Sequence, residues 1–349
     1  MSDSGYSFLD RLLHRLALNY GSVAEMSFDL DQKMVRVDQD EIVSRQHVFI
    51  SGLARAGTTV LMRRFHATDL YRSLTYRDMP FILAPNLWQR LSLNSKRETE
   101  YSERAHGDNL LVNIDSPESL DEVFWRIFVG DEYLKKAHLE PHEPSGDIIQ
   151  KYICYVNAIL AAHSPRRELY LSKNNNNILR LGAIHQAFPN ALILIPFREP
   201  LQHALSLLLQ HRRFSELQEK SGFTLSYMSW LGHHEFGLDH RPFLLDGTAS
   251  STYSTDTLDY WLQLWCQTYA WLENSKPKSA FFICYEDLCT DKENWNRLAA
   301  LANIKIGHRT GESFELSSRP VDACVNQGLN DYASAIYNRL VARSRAQLS

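Results

Sequence analysis

The loop Gly52-Leu-Ala-Arg-Ala-Gly-Thr-Thr59 has the residue types and spacing of an anion site. It almost matches the phosphate-binding pattern G-x-x-x-x-G-K-[ST], in which backbone N–H groups and a helix N-terminus hold a phosphate. Thr58 stands where that pattern has its lysine, and the basic residue lies inside the loop, at Arg55. Nucleoside triphosphatases use the lysine on the β- and γ-phosphates. The loop therefore predicts an anion site and disfavours a triphosphate as ligand.

A second candidate anion site lies downstream, where an apolar run ends in Arg198-Glu-Pro200 and Ser206 follows eight residues after the arginine. With Pro200 at the first helical position, Ser206 lies about two turns in and its side chain leans back toward the N-terminus. The guanidinium, the hydroxyl and the helix dipole can then converge on one phosphate. An arginine alone more commonly forms a surface ion pair, but its pairing with the first loop favours binding.

The two motifs together resemble those of sulfotransferases that use 3′-phosphoadenosine-5′-phosphosulfate (PAPS). The segment that resembles the family's 5′-phosphosulfate loop consists of Arg55, Ala56, Gly57, Thr58 and Thr59. Arg198 and Ser206 resemble its 3′-phosphate motif, and the likeness extends over about residues 47–306. The resemblance implies a P-loop-type α/β fold and PAPS as co-substrate, with no metal required.

Two further segments resemble the same family. Lys173, in Leu171-Ser-Lys173, matches a lysine that lies near the bridging oxygen of the donor in tyrosylprotein-type members. Tyr285, in Tyr-Glu-Asp-Leu, matches a tyrosine that helps to hold the nucleotide. The resemblance makes Arg55 and Lys173 the cations expected to stabilise the leaving bisphosphate.

Two departures limit this resemblance. Residues 174–177 are four asparagines where the family has Thr-Pro or Asp-Pro, and the Gly-rich and Trp-Lys loop of the cytosolic small-molecule members is absent. Residues 307–349 are therefore expected to cover the nucleotide differently. The departures favour the tyrosylprotein, glycan and bacterial branch over the phenol and steroid enzymes.

Sulfuryl transfer also needs a base for the acceptor proton. Asp78 lies in the region where tyrosylprotein and glycan members carry a catalytic glutamate, which makes it the first candidate. Its alternative role is a loop carboxylate paired with Arg77 or Arg72. His106 is the second candidate base, because histidine titrates nearest to neutrality.

The cluster His233-His234-Glu235, with Asp239 and His240 nearby, has the residue types of a metal site. Adjacent histidines face different ways on regular structure, so a shared ion is disfavoured. We expect an acceptor-binding or structural loop here, and no metal.

Strand-sized apolar runs alternate with helical patterns, which predicts a central parallel sheet flanked by helices. Strands are expected at 47–53, 168–172, 191–197 and 280–285. Ligands of such sheets bind at the carboxyl ends of the strands, where both anion motifs lie. The predicted sulfotransferase-like domain spans 47–306, with a helical insertion at about 86–165 and an acceptor-side insertion at about 215–255. Residues 307–349 are expected to form a C-terminal helical extension.

Residues 1–46 form an N-terminal segment that is expected to pack on this core. Its amphipathic helix pattern places on one side Phe8, Leu9, Leu12, Leu13 and Leu16. Packing within the chain is the first interpretation. Homo-oligomerisation through this helix and contact with a membrane surface are open alternatives.

Composition excludes several classes of protein. The 349 residues carry 37 Lys and Arg against 41 Asp and Glu, a net charge of −4, which disfavours nucleic acid as a partner. Five scattered cysteines without metal-ligand spacing predict reduced thiols. No apolar run approaches the ~20 residues of a membrane helix, and the N-terminus lacks a signal-peptide pattern. A soluble cytoplasmic protein is expected.

The sequence thus predicts a PAPS-dependent sulfotransferase. Its acceptor is a hydroxyl or amine of a glycan, lipid, small metabolite or tyrosyl side chain. A P-loop kinase that uses ATP and an inactive nucleotide-binding relative are the alternatives.

Overall fold

A parallel sheet organises the structure, a computed structural model that describes residues 8–36, 39–92, 102–103, 111–112, 115–162, 167–247, 251–305, 313–316, 318–321 and 325–349. The strands are β1 (Val48–Ile50), β2 (Tyr71–Arg72), β3 (Ser102–Glu103), β4 (Leu111–Val112), β5 (Leu169–Lys173), β6 (Leu192–Phe197) and β7 (Ala280–Cys284). Within these described ranges, five strands pair in the order β2-β5-β1-β6-β7, every neighbouring pair parallel. Strands β3 and β4 form a separate antiparallel pair. The predicted parallel α/β sheet is confirmed.

Helices flank the sheet on both faces. They are α1 (Phe8–His14), α2 (Gly21–Gln32), α3 (Gln39–Ser44), α4 (Thr58–His66), α5 (Pro85–Ser92), α6 (Glu122–Tyr133), α7 (Gly146–Ala161), α8 (Leu181–Ala187), α9 (Pro200–Lys220), α10 (Gly222–Trp230), α11 (Leu258–Ser275), α12 (Tyr285–Thr290), α13 (Lys292–Leu301) and α14 (Gln327–Leu348). A π-helical turn covers Arg15–Asn19, and 3₁₀ turns cover Tyr76–Asp78 and Asn175–Arg180.

Side chains of the central strands alternate between two hydrophobic cores. Val48 and Ile50 pack with α4 and α13 on one face, whereas Phe49 packs on the other face with α7 and α8. All six residues of β6 are buried, as a strand covered on both faces requires. This double burial explains why its sequence is an unbroken apolar run.

Two helices, α9 and α10, lead into the predicted acceptor-side insertion at about 215–255. Helix α9 continues to Lys220, and α10 follows at Gly222. The buried face of α9 persists through Phe214 and Gln218, so it includes a polar residue. The role of this insertion stays a prediction.

The N-terminal helix presents its apolar side outward. Leu12, Leu13 and Leu16 are 43%, 38% and 39% exposed, whereas His14 and Leu18 are buried. The expectation that the leucine side packs inside the chain was wrong for these three residues; the buried side of the segment runs through His14, Ala17 and Leu18, where α1 gives way to the π-helical turn Arg15–Asn19. Oligomerisation through this face stays a prediction.

Helix α14 covers the outer edge of β7. The Phe282 N–H donates to Gln347 Oε1 at 3.0 Å, and the Cys284 N–H donates to Ser344 Oγ at 3.1 Å. These are amides of an edge strand that has no further strand beside it in the described sheet. Side chains of one helix thus satisfy the edge of the sheet.

Among the helices of the described residues, none combines the length and apolar character needed to cross a membrane.

Candidate functional site

The candidate site lies where the parallel strands end. In the register of the sheet, Ile50 pairs with both Lys173 and Leu194, and Phe197 pairs with Cys284. The chain segments that follow β1, β5, β6 and β7 therefore emerge at one edge, where α/β sheets bind ligands. The predicted site residues Arg55, Lys173, Arg198 and Tyr285 all belong to these segments.

The loop after β1 adopts the strained backbone of an anion-binding turn. Arg55 has a φ of 70° and Gly57 a φ of 84°, and helix α4 begins directly afterwards at Thr58. A positive φ at a residue other than glycine costs energy and clusters at ligand sites. The N-cap Gly57 offers no side chain to the first amides of α4, so these donors face the loop. The residues present fit an anion such as a phosphosulfate.

Gly57 is also required by a close neighbour. A Cβ at this position would lie 2.2 Å from Cδ2 of Tyr285, whose ring rests on the loop backbone. The Tyr285 hydroxyl donates to the Glu315 carbonyl at 3.0 Å, and its ring lies 6.2 Å from that of Phe314. Part of the C-terminal region, residues 313–316, thus lies beside the phosphate loop.

The two predicted phosphate motifs contact each other. Arg55 Nε donates to Ser206 Oγ at 3.2 Å, although 151 positions separate them in the chain. His203, on the same helix α9, donates from Nε2 to the Ala54 carbonyl at 2.7 Å. Burial lowers the pKa of His203 to about 3, which keeps the ring neutral in this contact. The loop after β1 and the start of α9 therefore form one continuous surface.

Arg198 lies beside a carboxylate rather than in open solvent. It is 8% exposed, and its Nε lies 3.9 Å from Glu286 Oε1. Glu199 caps α9 by accepting hydrogen bonds from the amides of Leu201 and Gln202. These two amides are therefore already bonded within the helix terminus, and the predicted contribution of the α9 dipole to a phosphate site stays a prediction. The Arg198 and Ser206 side chains stay as the predicted ligands.

Lys173 ends β5 and is 9% exposed. Burial raises the pKa of Glu235, but His233 and, to a smaller extent, the charge of Lys173 lower it. The same charge opposes the carboxylates that raise the pKa of His233. The sequence analysis expected an acceptor-binding or structural loop at these two residues. Asn175, two positions after Lys173, contacts this loop through Glu235, and the role of the loop stays a prediction.

Asp78 is enclosed by its own segment. It is 0% exposed, and its Oδ1 accepts a hydrogen bond from Arg72 Nη2 at 2.6 Å. Its Oδ2 accepts from the amide and the hydroxyl of Thr75 at 2.7 and 3.0 Å. Both oxygens hold the turn together, so the structure favours the alternative of a carboxylate paired with Arg72 over the predicted base. His106, the second candidate base, lies outside the described residues.

Beneath the site, a buried ion pair supports the segment after β5. Arg180 Nη1 donates to Glu122 Oε2 at 2.7 Å, and both side chains are 0% exposed. Burial raises the pKa of Glu122, but the Arg180 charge outweighs this and leaves the pKa lowered. Asn174 Nδ2 also donates to Glu122 Oε2 at 2.7 Å. The asparagine run is thereby hydrogen-bonded to the buried Glu122–Arg180 pair.

The two adjacent histidines pair with different carboxylates. His233 Nδ1 lies 3.6 Å from Glu235 Oε2, whereas His234 Nδ1 lies 3.0 Å from Asp239 Oδ2. Among the described residues, no group of three or more His, Cys, Asp or Glu side chains is placed to hold a metal ion. The sequence analysis did not predict that the loop around His233 contacts the segment after Lys173. The unusual run of asparagines in that segment was the sequence feature that could have indicated it.

This geometry defines a class: an α/β protein in which a loop with two positive-φ residues joins the central strand to a helix. A model of the sulfotransferase family matches residues 47–299. The chain belongs to the sulfotransferase family. The assignment supports sulfuryl transfer as its general activity. No curated protein sequence matches this chain significantly.

Solved structures with a similar fold are bacterial sulfotransferases. Sulfotransferase STF1 from Mycobacterium tuberculosis is 14% identical, with a TM-score of 0.49 over 98% of this chain and 84% of its own. STF9 from Mycobacterium avium is 15% identical, with a TM-score of 0.42 over 95% and 74%. A sulfotransferase from Alicyclobacillus acidocaldarius is 15% identical, with a TM-score of 0.38 over 88% and 96%. At these values the likenesses carry no information on donor or acceptor.

Proposed function

We propose that the protein transfers the sulfuryl group of PAPS to a hydroxyl or amine acceptor. The observation that carries this proposal is the contact between Arg55 and Ser206, at 3.2 Å. It joins the loop that resembles the 5′-phosphosulfate site to the helix that resembles the 3′-phosphate site. A bisphosphorylated nucleotide needs two such anion sites within reach of one ligand.

The residues of the site divide into three proposed roles. The loop amides of residues 55–59 and the Arg55 guanidinium bind the 5′-phosphosulfate. Arg198 and Ser206 bind the 3′-phosphate, and Tyr285 packs against the loop and holds the nucleotide. Lys173 stabilises the negative charge that develops on the leaving oxygen. When bound, PAPS supplies an activated sulfuryl group, so the protein contributes positioning and charge stabilisation.

The C-terminal region is proposed to close the nucleotide side of the site. Gln202 Nε2 donates to the Arg319 carbonyl at 2.9 Å, and the Arg319 amide donates to Gln202 Oε1 at 2.8 Å. This pair ties the segment 318–321 to the first turn of α9. Together with the Tyr285 bond to Glu315, it supports the expectation that this region replaces the family's Gly-rich loop.

A kinase that uses ATP is the alternative that the loop disfavours. Thr58, the buried first residue of α4, stands at the position where a triphosphatase has the lysine that it uses on the β- and γ-phosphates. The acceptor is proposed only as a class: a glycan, lipid, small metabolite or tyrosyl side chain. Cytoplasmic location is part of the proposal, and it is supported by the described cysteines Cys154, Cys266, Cys284 and Cys289, which form no disulfide with one another.

Thermal-shift titration tests the proposed donor. We expect 3′,5′-bisphosphoadenosine to raise Tm without Mg²⁺, because a ligand that binds the folded state stabilises it, and ATP to have little effect. The reverse preference would contradict a PAPS site and favour the kinase. Transfer of radiolabelled sulfate from PAPS across a panel of acceptors then separates an active enzyme from an inactive relative, which binds the bisphosphate without transfer.

A further inference from the structure

The asparagine run after Lys173 anchors a loop from a distant part of the chain. Asn175 Nδ2 donates to Glu235 Oε1 at 2.8 Å, and Asn176 Nδ2 donates to the Gly232 carbonyl at 3.2 Å. Two consecutive side chains of the segment that leaves β5 thus hold residues 232 and 235. His233 lies between these two anchored positions.

The backbone around His233 is fixed from its other side as well. Gly232 has a φ of 77°, and a Cβ there would lie 2.5 Å from Cγ of Glu122, so the loop packs directly on the buried Glu122–Arg180 pair. The His233 amide donates to the Met228 carbonyl at 3.0 Å, at the end of α10. The loop is therefore held against the carboxyl edge of the sheet at several points.

Glu235 lies between the His233 ring and the asparagine run. Its Oε2 is 3.6 Å from His233 Nδ1, an ion-pair distance, and its Oε1 accepts a hydrogen bond from Asn175. The two side chains are 21% and 16% exposed, so the pair is not sealed from solvent. A carboxylate beside Nδ1 favours the proton on that nitrogen, which leaves Nε2 of a neutral ring as the proton acceptor.

Three charged groups from three elements act on the His233 ring. They are Glu235 on its own loop, Lys173 at the end of β5, and Glu118 on the segment that precedes α6. Burial lowers the pKa of His233, and Lys173 lowers it further, but the two carboxylates outweigh them and the pKa is raised. The electrostatic environment of the ring thus combines the proposed leaving-group cation with two acidic side chains.

We propose that His233 is the general base of the transfer and that Glu235 is its positioning residue. This inference rests on the proposed function. The proton of the acceptor O–H or N–H moves to His233 Nε2 as the acceptor atom bonds to sulfur. The bond between sulfur and the 5′-phosphate oxygen breaks, and its electron pair stays on that oxygen, where Lys173 stabilises the charge. His233 then releases its proton to solvent.

The pair makes a defined prediction for pH dependence. The base is active when neutral, so turnover rises with pH through the pKa of His233. Glu235 raises that pKa, and therefore Glu235→Gln moves the rising limb of the profile to lower pH. A residue that only supports the fold would change the rate or Tm without moving the limb.

Three variants of the full chain test the proposal, with PAPS as donor and the acceptor panel as substrates. PAPS consumption in water alone serves as a second readout that needs no known acceptor. His233→Gln should lower turnover by about 10²- to 10⁴-fold while affinity for 3′,5′-bisphosphoadenosine stays within threefold. His185→Gln is the matched control. His185 is exposed and forms a hydrogen bond with Ser279, which directly precedes β7 and therefore lies at the amino ends of the strands, away from the site. It should retain wild-type turnover.

The outcomes separate this proposal from the proposed function. A wild-type protein that neither binds the bisphosphate nor consumes PAPS overturns both. An active wild type whose His233→Gln variant keeps its turnover and pH profile overturns the histidine base alone and shifts the role to Glu118, which Glu118→Gln then tests. If His233→Gln fails to fold, the pH profile of Glu235→Gln decides. A shift of its rising limb to lower pH supports the proposal, and an unmoved limb overturns it.

Discussion

Replacing Gly57 by alanine is expected to weaken binding of 3′,5′-bisphosphoadenosine by about 10- to 400-fold. The residue has a φ of 84°, where an L-amino acid costs roughly 1–2 kcal/mol. The new Cβ would also lie 2.2 Å from the Tyr285 ring, so the ring must move and its bond to Glu315 is lost. That bond contributes about 0.5–1.5 kcal/mol, which brings the sum to about 1.5–3.5 kcal/mol.

The cost should appear mainly in affinity rather than in stability. In the free protein the loop can relax away from the strained conformation, but binding must restore the turn at Gly57 and the position of Tyr285. Isothermal titration calorimetry measures Kd, and thermal unfolding without ligand measures the part of the cost that the free protein keeps. Tyr285→Phe isolates the hydroxyl bond, because it retains the ring and removes the donor to Glu315.

Gly182→Ala is the matched control for this experiment. Gly182 lies in α8, and a Cβ there would meet nothing within 4 Å. Alanine in a helix is more favourable than glycine by roughly 0.5–1 kcal/mol, so Tm should rise slightly and Kd should not change. A Gly57→Ala protein with wild-type Kd and the Tm of the control would refute both the strained turn and its role in binding.

Three further perturbations test other parts of the structure. Arg198→Ala should weaken binding of 3′,5′-bisphosphoadenosine by about 10- to 150-fold, because a charge-assisted hydrogen bond contributes about 1.5–3 kcal/mol. Calorimetry measures the affinity, with Arg213→Ala as the control at an exposed arginine. Equal affinities of the two variants would remove Arg198 from the site. Asp78→Asn breaks the buried pair with Arg72 and should lower the free energy of unfolding by about 3–5 kcal/mol in urea, with transfer retained while the variant is folded. A stable but inactive Asp78→Asn protein would restore Asp78 as the base. Burial lowers the pKa of His47 to about 4, and its Nδ1 accepts from the Tyr170 amide, so stability should fall as pH drops from about 6.5 to 4. The unfolding free energy of His47→Gln should fall less across that range, and identical slopes would contradict the assignment.

The strands were predictable because they are buried on both faces. Continuous apolar runs such as Leu192–Phe197 occur in few other environments, and the loop after Ile50 follows its strand directly. The family follows from the same segments and is confirmed by the match over residues 47–299. The roles of Arg55, Lys173, Arg198 and Tyr285 stay predictions, since geometry at one edge of a sheet does not by itself measure binding.

Partners from other segments were not predictable. A loop carboxylate that takes a proton from a substrate and one that accepts hydrogen bonds within the protein look the same in a sequence. Asp78 is of the second kind, because it accepts three hydrogen bonds, from Arg72 and Thr75. Glu199 resembled a spacer in the Arg-x-Pro motif, yet it caps α9. The attachment of the His233 loop to the segment after Lys173 depends on Asn175 and Asn176, whose long-range hydrogen bonds leave no periodic signal in the sequence.

The helix α14 that covers β7 affects more than packing. An uncovered edge strand offers its N–H and C=O groups to strands of other molecules, which is a common route to aggregation. Here Ser344 and Gln347, close to the last residue of the chain, occupy the amides of Cys284 and Phe282. The last two turns of α14 therefore protect this edge from intermolecular β-pairing. Disturbing these turns would leave the amides of Phe282 and Cys284 available to a strand of another molecule.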